Sequence, residues 1–415
     1  FWETHDPHAV ISYMGLGQPD LQVDMYKSMM ALDFHFGIAD MAIGDFNGDD
    51  FADIAVASAK NNTSAECMGS TSYMNFDVLA GGYALWGQWF QTSPTTWQCR
   101  WGAGLFPEPG AFSPMTVGGS LVHAHPSALA AADLNQDGRD DLVLTVRGTA
   151  LDATCSVPDE IIAMTSSPEG GNCAEGWTGP APAPLEFCTF AGNGSCMASS
   201  SICPTEDSVE YPETGQNPVA VATGYVNDDD IVDILVANRD THNVTLILGT
   251  LEDGRYLMDS QQYPPTLISL GAEPLDIGLA DVDRDGWSDL VGAFEDKVSI
   301  SWGTDGTNFA TPLYIDKTPE GTKLKPHRVM TADFNGDELA DLLVVSQSDN
   351  RIFLYVSLGG RQLAGPYEFT AANEPGDVQI ADINADGCTD VIVANHGSKT
   401  VSLLINEFCV PLEAE

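Results

Sequence analysis

The stretch Asp281-Val-Asp283-Arg-Asp285-Gly286-Trp287-Ser-Asp289 decides how this chain is read. Acids stand at positions 1, 3, 5 and 9 of a nine-residue run, with a glycine at position 6. A hard cation such as Ca²⁺ takes about six to eight oxygens at ~2.3–2.6 Å. Carboxylates on alternate residues of a short loop can turn toward one point, and the glycine allows the bend between them. The main-chain carbonyl of Trp287, at position 7, completes the expected oxygen set.

The pattern recurs, which makes it a repeat and not an isolated acidic turn. One copy places Asp45, Asn47, Asp49 and Asp53 at positions 1, 3, 5 and 9, with Phe51 at 7. A second has Asp133, Asn135, Asp137 and Asp141, with Arg139 at 7. Two more are Asp333, Asn335, Asp337, Leu339 and Asp341, then Asp382, Asn384, Asp386, Cys388 and Asp390. The sixth keeps Asn227, Asp229 and Asp233 but has Tyr225 at position 1, which predicts a poorer metal site.

A short apolar run lies on either side of each loop, such as Ile277-Gly-Leu-Ala before and Leu290-Val-Gly-Ala after. Runs of this length, rich in β-branched residues and bounded by turn chemistry, read as strands. A third strand follows in most repeats (Val244–Leu248, Val298–Trp302, Val401–Ile405), and a fourth is visible in places, as at Thr266–Leu270. The expected unit is a four-stranded antiparallel sheet whose first two strands are joined by the acidic loop. Radial repetition of such sheets is a β-propeller.

Loops of this form between two apolar strands resemble the FG-GAP/VCBS repeats, known from the head propeller of integrin α-subunits and from many secreted proteins. The resemblance covers about residues 39–407. It implies an all-β propeller with structural calcium, about five or six ions, held at the loop positions named above. Direct counting predicts six blades, whereas the habit of the family is seven. On function the resemblance is broad, because this scaffold serves adhesion, sugar binding, enzyme accessories and scaffolding alike.

Charge narrows the partners. Sixteen Lys+Arg against 60 Asp+Glu give a net charge of −44, and six divalent ions would still leave −32. So negative a surface repels nucleic acid and anionic lipid. No run reaches the ~20 apolar residues that a membrane-spanning helix requires, and Phe1 reads as a mature N-terminus left by cleavage. The nine cysteines (Cys67, Cys99, Cys155, Cys173, Cys188, Cys196, Cys203, Cys388 and Cys409) cluster largely in loop-rich segments. This points to disulfides and an oxidising, extracellular compartment. By segment, Cys67 pairs with Cys99 and Cys388 with Cys409, the pairing of the other five stays open, and one thiol is left over. Glycosylation sequons begin at Asn61, Asn62, Asn193 and Asn243.

Successive loops are separated by 88, 92, 56, 52 and 49 residues, so a blade takes about fifty. The surplus in the first two intervals falls at about 61–115 and 151–212. These insertions are either disulfide-stapled loops or, in one case, a blade without an acidic loop. Residues 1–38 are expected to supply the strand that closes the ring, because the last repeat ends after its third strand. The whole chain, 1–415, is thus read as one propeller. Trp86, Trp89, Phe90, Trp97 and Trp101 form an aromatic cluster in the first insertion, either a ligand platform or the core of their own loop.

No phosphate loop, nucleophile elbow or zinc-protease helix is present in the sequence. The expectation is therefore a non-catalytic extracellular protein that binds a protein or carbohydrate ligand, or copies of itself as an assembly subunit. The alternative is a polysaccharide lyase or hydrolase built on the same scaffold.

Overall fold

The computed structural model describes strands between Ala9 and Gly102, residues 125–147, the strands Glu160–Ser166, Thr178–Gly179 and Phe187–Thr189, residues 214–252, 255–258, 264–318, 321–381, 387–398 and 400–406, and Cys409. Among these the chain is all-β, and every strand pairing is antiparallel. Each of the six acidic runs lies between the first and second strands of a sheet, as the flanking apolar residues predict.

The chain divides into two compact units, one comprising 215–247 and 265–415 with the first four residues, the other 5–214 and 248–264. In the first unit Pro218–Gly224, Asp233–Asn238, Asn243–Ile247 and Thr266–Ser269 form one four-stranded sheet in chain order. Pro274–Ala280, Asp289–Phe294, Lys297–Ser301 and Leu313–Ile315 form the next. Arg328–Ala332, Asp341–Ser346, Arg351–Ser357 and Leu363–Thr370 form a third. Pro375–Ala381, Asp390–Asn395 and Thr400–Leu404 follow as a sheet of three strands.

Burial explains why the middle strands are continuously apolar and do not alternate. All six residues of Asp233–Asn238, of Asp289–Phe294 and of Asp341–Ser346 are buried. Both faces of each sheet are therefore covered. In the 328–370 sheet, Leu342, Val344, Phe353 and Tyr355 pack with Val291, Ala293, Val298 and Ile300 of the preceding sheet. The alternate residues Leu343, Val345 and Ile352 pack with Val378, Val391 and Val393 of the following one. Period-two alternation thus places one apolar set on each neighbouring sheet. The outer strands Thr266–Ser269 and Leu363–Thr370 are largely exposed.

The second unit repeats the design. Gly37–Gly44, Asp53–Ala59 and Met74–Leu79 form a three-stranded sheet, while His125–Ala132, Asp141–Arg147, Glu160–Ser166 and Phe187–Thr189 form a four-stranded one. Asp40 Oδ2 accepts the Leu129 N–H at 2.7 Å, tying these two sheets together by their first strands. Asp276 Oδ2 accepts the Val329 N–H at 2.9 Å in the same way in the first unit. These two sheets, which flank the first insertion in the chain, are thus direct neighbours among the described residues.

Within the insertions, Trp86–Ser93 and Thr96–Gly102 make a hairpin that Thr178–Gly179 extends. The second insertion supplies this pairing and the outer strand Phe187–Thr189. Glycine, serine and cysteine give such short strands no apolar run to announce them. Of the segments expected to close the ring, Ala9–Ser12 pairs with Met30–Asp33, and residues 21–26 lie outside the described residues.

Candidate metal centre

Each of the four fully described acidic loops begins where the first strand of its sheet ends, so each occupies the same place in its own sheet. In the 281–289 loop, the Asp285 N–H donates to Asp281 Oδ1 and to Asp283 Oδ1, both at 3.1 Å. The Gly286 N–H donates to Asp281 Oδ2 at 2.9 Å, and the Trp287 N–H to Asp285 Oδ1 at 3.0 Å. Gly286 stands at φ +91°, a left-handed conformation that favours glycine. Loop 133–141 reproduces this web through the N–H groups of Asp137, Gly138 and Arg139. Loop 333–341 does so through Asp337, Glu338 and Leu339, with Glu338 itself left-handed at φ 65°. Tyr225 has no carboxylate to offer; in loop 225–233 the Asp229 N–H donates to Asn227 Oδ1 and the Ile231 N–H to Asp229 Oδ1.

Carboxylate oxygens of Asp281, Asp283 and Asp285 all lie within 4.8 Å of one another. Oxygens around an ion of ~2.4 Å bond length are separated by up to twice that distance, so the set fits Ca²⁺. Asp281, Asp283 and Asp285 would hold the ion together with the Trp287 carbonyl. The ion would supply a divalent counter-charge to carboxylates otherwise crowded together.

Position 9 does a second job. Asp289 is fully buried, and its Oδ2 accepts the N–H groups of Val282 and Asp283 at 2.8 and 3.3 Å. Its Oδ1 accepts the Gly303 N–H at 2.8 Å, which fastens the loop to the end of the third strand. Asp341 repeats this with Phe334 and Ser357, and Asp390 with Asn406. Asp141 and Asp233 accept the position-2 N–H of their own loops. A carboxylate has about four acceptor sites, so bracing the loop and binding a metal are compatible roles. Side chains from the next sheet also reach back. Ser357 Oγ donates to the Val282 carbonyl and Asn406 Nδ2 to the Phe334 carbonyl, each at 2.6 Å.

The described residues include the four loops 133–141, 225–233, 281–289 and 333–341 entire. The expected ligands Asp45, Asn47, Asp49, Phe51, Asp382, Asn384 and Asp386 lie outside them, as does the side chain of Asp53. So do Asn61, Asn62, Asn193, Cys67, Cys155, Cys173, Cys196, Cys203 and the side chains of Cys99 and Cys188. Cys388 and Cys409 form the expected disulfide, with Cα atoms 5.7 Å apart, joining position 7 of the last loop to the C-terminal segment. Asn243 opens a third strand, where its Oδ1 accepts bonds from Asn238 and Thr241.

Sequence reasoning missed Arg361. This residue sits in the turn after the third strand of the 328–370 sheet, yet its Nε donates to Asp283 Oδ2 at 2.7 Å. Its guanidinium also lies over the Trp302 ring, 5.4 Å from the centroid.

A family profile described as FG-GAP-like repeat matches residues 281–344 and again 333–393. The chain carries FG-GAP-like repeats. The two matches overlap and together contain three of the acidic loops, 281–289, 333–341 and 382–390. No curated protein matches the chain in sequence. Among solved structures, BBS1N in complex with ARL6DN is similar at 12% identity and TM-score 0.49, over 99% of this chain and 95% of that one. A lectin of Agrocybe aegerita that recognises non-reducing terminal N-acetylglucosamine is similar at 13% identity and TM-score 0.42, over 92% and 86%. The exotype rhamnogalacturonan lyase YesX is similar at 13% and TM-score 0.35, over 94% of this chain and 57% of that one. Among the described residues no helix is long and apolar enough to cross a membrane.

The buried carboxylates of these repeats give the metal-free protein a pH dependence. Burial pushes Asp289 up to about 7 and Asp341 up to about 6, with further upward pressure from the neighbouring loop acids. Both values exceed the unfolded value near 4, so between about pH 4 and 7 these two carboxyls hold more protons in the folded state than in the unfolded one. This outweighs the opposite effect of His327, which burial lowers to about 4. Metal-free stability therefore falls as pH rises through that window. In chelator, the melting temperature should be higher at about pH 5 than at about pH 7.5, and calcium should abolish or reverse the difference. A chelated protein that grows more stable between those two values would contradict the assignment.

Proposed function

We propose that this chain is a single calcium-stabilised β-propeller that acts outside the cell as a non-catalytic binding or scaffold protein. The observation that carries the reading is the recurrence of one hydrogen-bonded acidic loop at the same corner of successive sheets stacked face to face. Metal at such corners would pin each sheet to its neighbour. Direct contact between the first strands of the 37–79 and 125–189 sheets supports six blades over seven for the first interval. The disulfide supports an oxidising compartment.

Several of the buried acids are braces. Asp276, Asp289 and Asp341 each accept main-chain N–H groups, which favours a structural role for them over general acid–base work. Exposed Leu267, Tyr314, Tyr367 and Phe369 on outer strands offer apolar surface to a protein or a sugar face.

The test is incubation of the calcium-loaded protein with a glycan and polysaccharide array and with itself. The expected result is saturable retention of a ligand, or concentration-dependent assembly, without turnover. Release of new reducing ends or unsaturated sugars from a retained polysaccharide would overturn the non-catalytic reading in favour of the lyase or hydrolase alternative.

A further inference from the structure

Position 3 is asparagine in five of the six loops and aspartate only at Asp283. In two of the three described loops with asparagine there, that amide links positions 3 and 5, whereas Asn227 Oδ1 accepts the Asp229 N–H. Asn135 Nδ2 donates to Asp137 Oδ2 at 3.2 Å, and Asn335 Nδ2 donates to Asp337 Oδ2 at 3.0 Å. Asp283 has no amide to donate. At this loop Arg361 supplies the missing link from outside, with Nε 2.7 Å from Asp283 Oδ2 and Nη2 3.7 Å from Asp285 Oδ2.

The turn that delivers the guanidinium is shaped for the purpose. Gly359, Gly360 and Arg361 stand consecutively at φ 70°, 58° and 66°. A left-handed arginine is strained, and strain of this kind persists where surrounding contacts dictate it. The Gly360 N–H donates to the Asp283 carbonyl at 2.8 Å, and Ser357 Oγ to the Val282 carbonyl, which sets the turn directly on the loop. The Trp302 ring holds the other face of the guanidinium.

We propose that Arg361 is the resident counter-cation of the 281–289 loop, matched to the extra acid at position 3, and that it lowers this loop's calcium affinity while keeping the metal-free loop folded. The inference rests on the calcium reading above. It makes this loop less dependent on metal than its acid count suggests and couples its occupancy to docking of the next sheet. A unit positive charge several ångströms from a divalent ion in a water-like medium weakens binding about tenfold.

The test compares wild type, Arg361→Gln, Arg361→Lys, Asp283→Asn and the double variant Asp283→Asn/Arg361→Gln. Calorimetry with calcium and terbium emission sensitised by Trp287 report binding, because Trp287 belongs to this loop alone. Arg361→Gln should tighten binding at this loop about tenfold and lower the melting temperature in chelator. Arg361→Lys, which keeps the charge, should bind like wild type. In the Asp283→Asn background the guanidinium loses the carboxylate that holds it at the loop, so the glutamine substitution should have a smaller effect on both quantities. Unchanged or weaker binding in Arg361→Gln, or an equal effect in both backgrounds, would overturn the proposal. A flat wild-type titration would instead overturn the calcium reading and this inference with it. In that case lower stability of Arg361→Gln in chelator would show only that the ion pair is structural.

Discussion

Stripping calcium from the native protein should lower its melting temperature by roughly 10–20 °C. Calcium modules of this class bind with dissociation constants of ~10⁻⁴–10⁻³ M. At tenfold excess of free ion each site stabilises the folded state by about 1.4 kcal/mol, so five good sites contribute about 7 kcal/mol. That matches the net stability of a typical domain, ~5–15 kcal/mol. A change of 1 kcal/mol moves the midpoint by ~2–4 °C in a unit of ~150–250 residues, and by less in a longer chain. Two features of the structure add to the loss. Asp281, Asp283 and Asp285 stay gathered on one loop, and a net charge of −44 has no divalent ions to offset it. Differential scanning calorimetry with and without chelator at constant ionic strength measures the effect. A midpoint that moves by less than about 2 °C would remove calcium from the account of stability.

The second large effect is expected at position 9. Asp341→Ala removes a fully buried carboxylate that accepts the Phe334 N–H at 3.1 Å and the Ser357 N–H at 2.8 Å. Each donor left buried and unpaired costs about 1–3 kcal/mol. The variant should lose about 3–5 kcal/mol in urea unfolding, with the denaturant slope unchanged. Most of the loss should survive in chelator, because the bonds are to the protein's own main chain. Should Asp341→Ala be as stable as wild type in chelator and differ only when calcium is present, position 9 is a ligand and not a brace.

The two results bear on different parts of one device. Calcium is expected to address positions 1, 3 and 5, which in loop 281–289 run from exposed Asp285 to buried Asp283. The position-9 aspartate works beneath them, joining the loop to the third strand of the same sheet. Ser357 and Asn406 then link a third-strand end to the preceding loop. Removal of metal is thus expected to loosen sheet against sheet, and loss of the brace to open a sheet at its corner.

Most of the repeat was legible in the order of residues. Alternating oxygen side chains around a turn, set between β-branched runs, specify strand, loop and strand locally, and this needs no information from elsewhere in the chain. The four-stranded sheets at 218–269, 274–315 and 328–370 follow from that pattern. What stayed hidden is non-local. The hairpin Trp86–Gly102 pairs with Thr178–Gly179 across more than seventy residues, and neither partner declares the other. Position 9 read as one more metal ligand, because a sequence shows a carboxylate but not the two N–H groups pointed at it.

Arg361 marks the boundary most sharply. Sequence alone determined that loop 281–289 has an acid at position 3 where its five relatives have asparagine, and nothing nearby in the chain explains it. Only the tertiary structure brings a guanidinium from 78 residues away to within 2.7 Å of that acid. The reason is physical: periodicity and turn chemistry act between near neighbours along the chain, whereas the compensation of a charge depends on distance through space, which is set once the sheets have stacked.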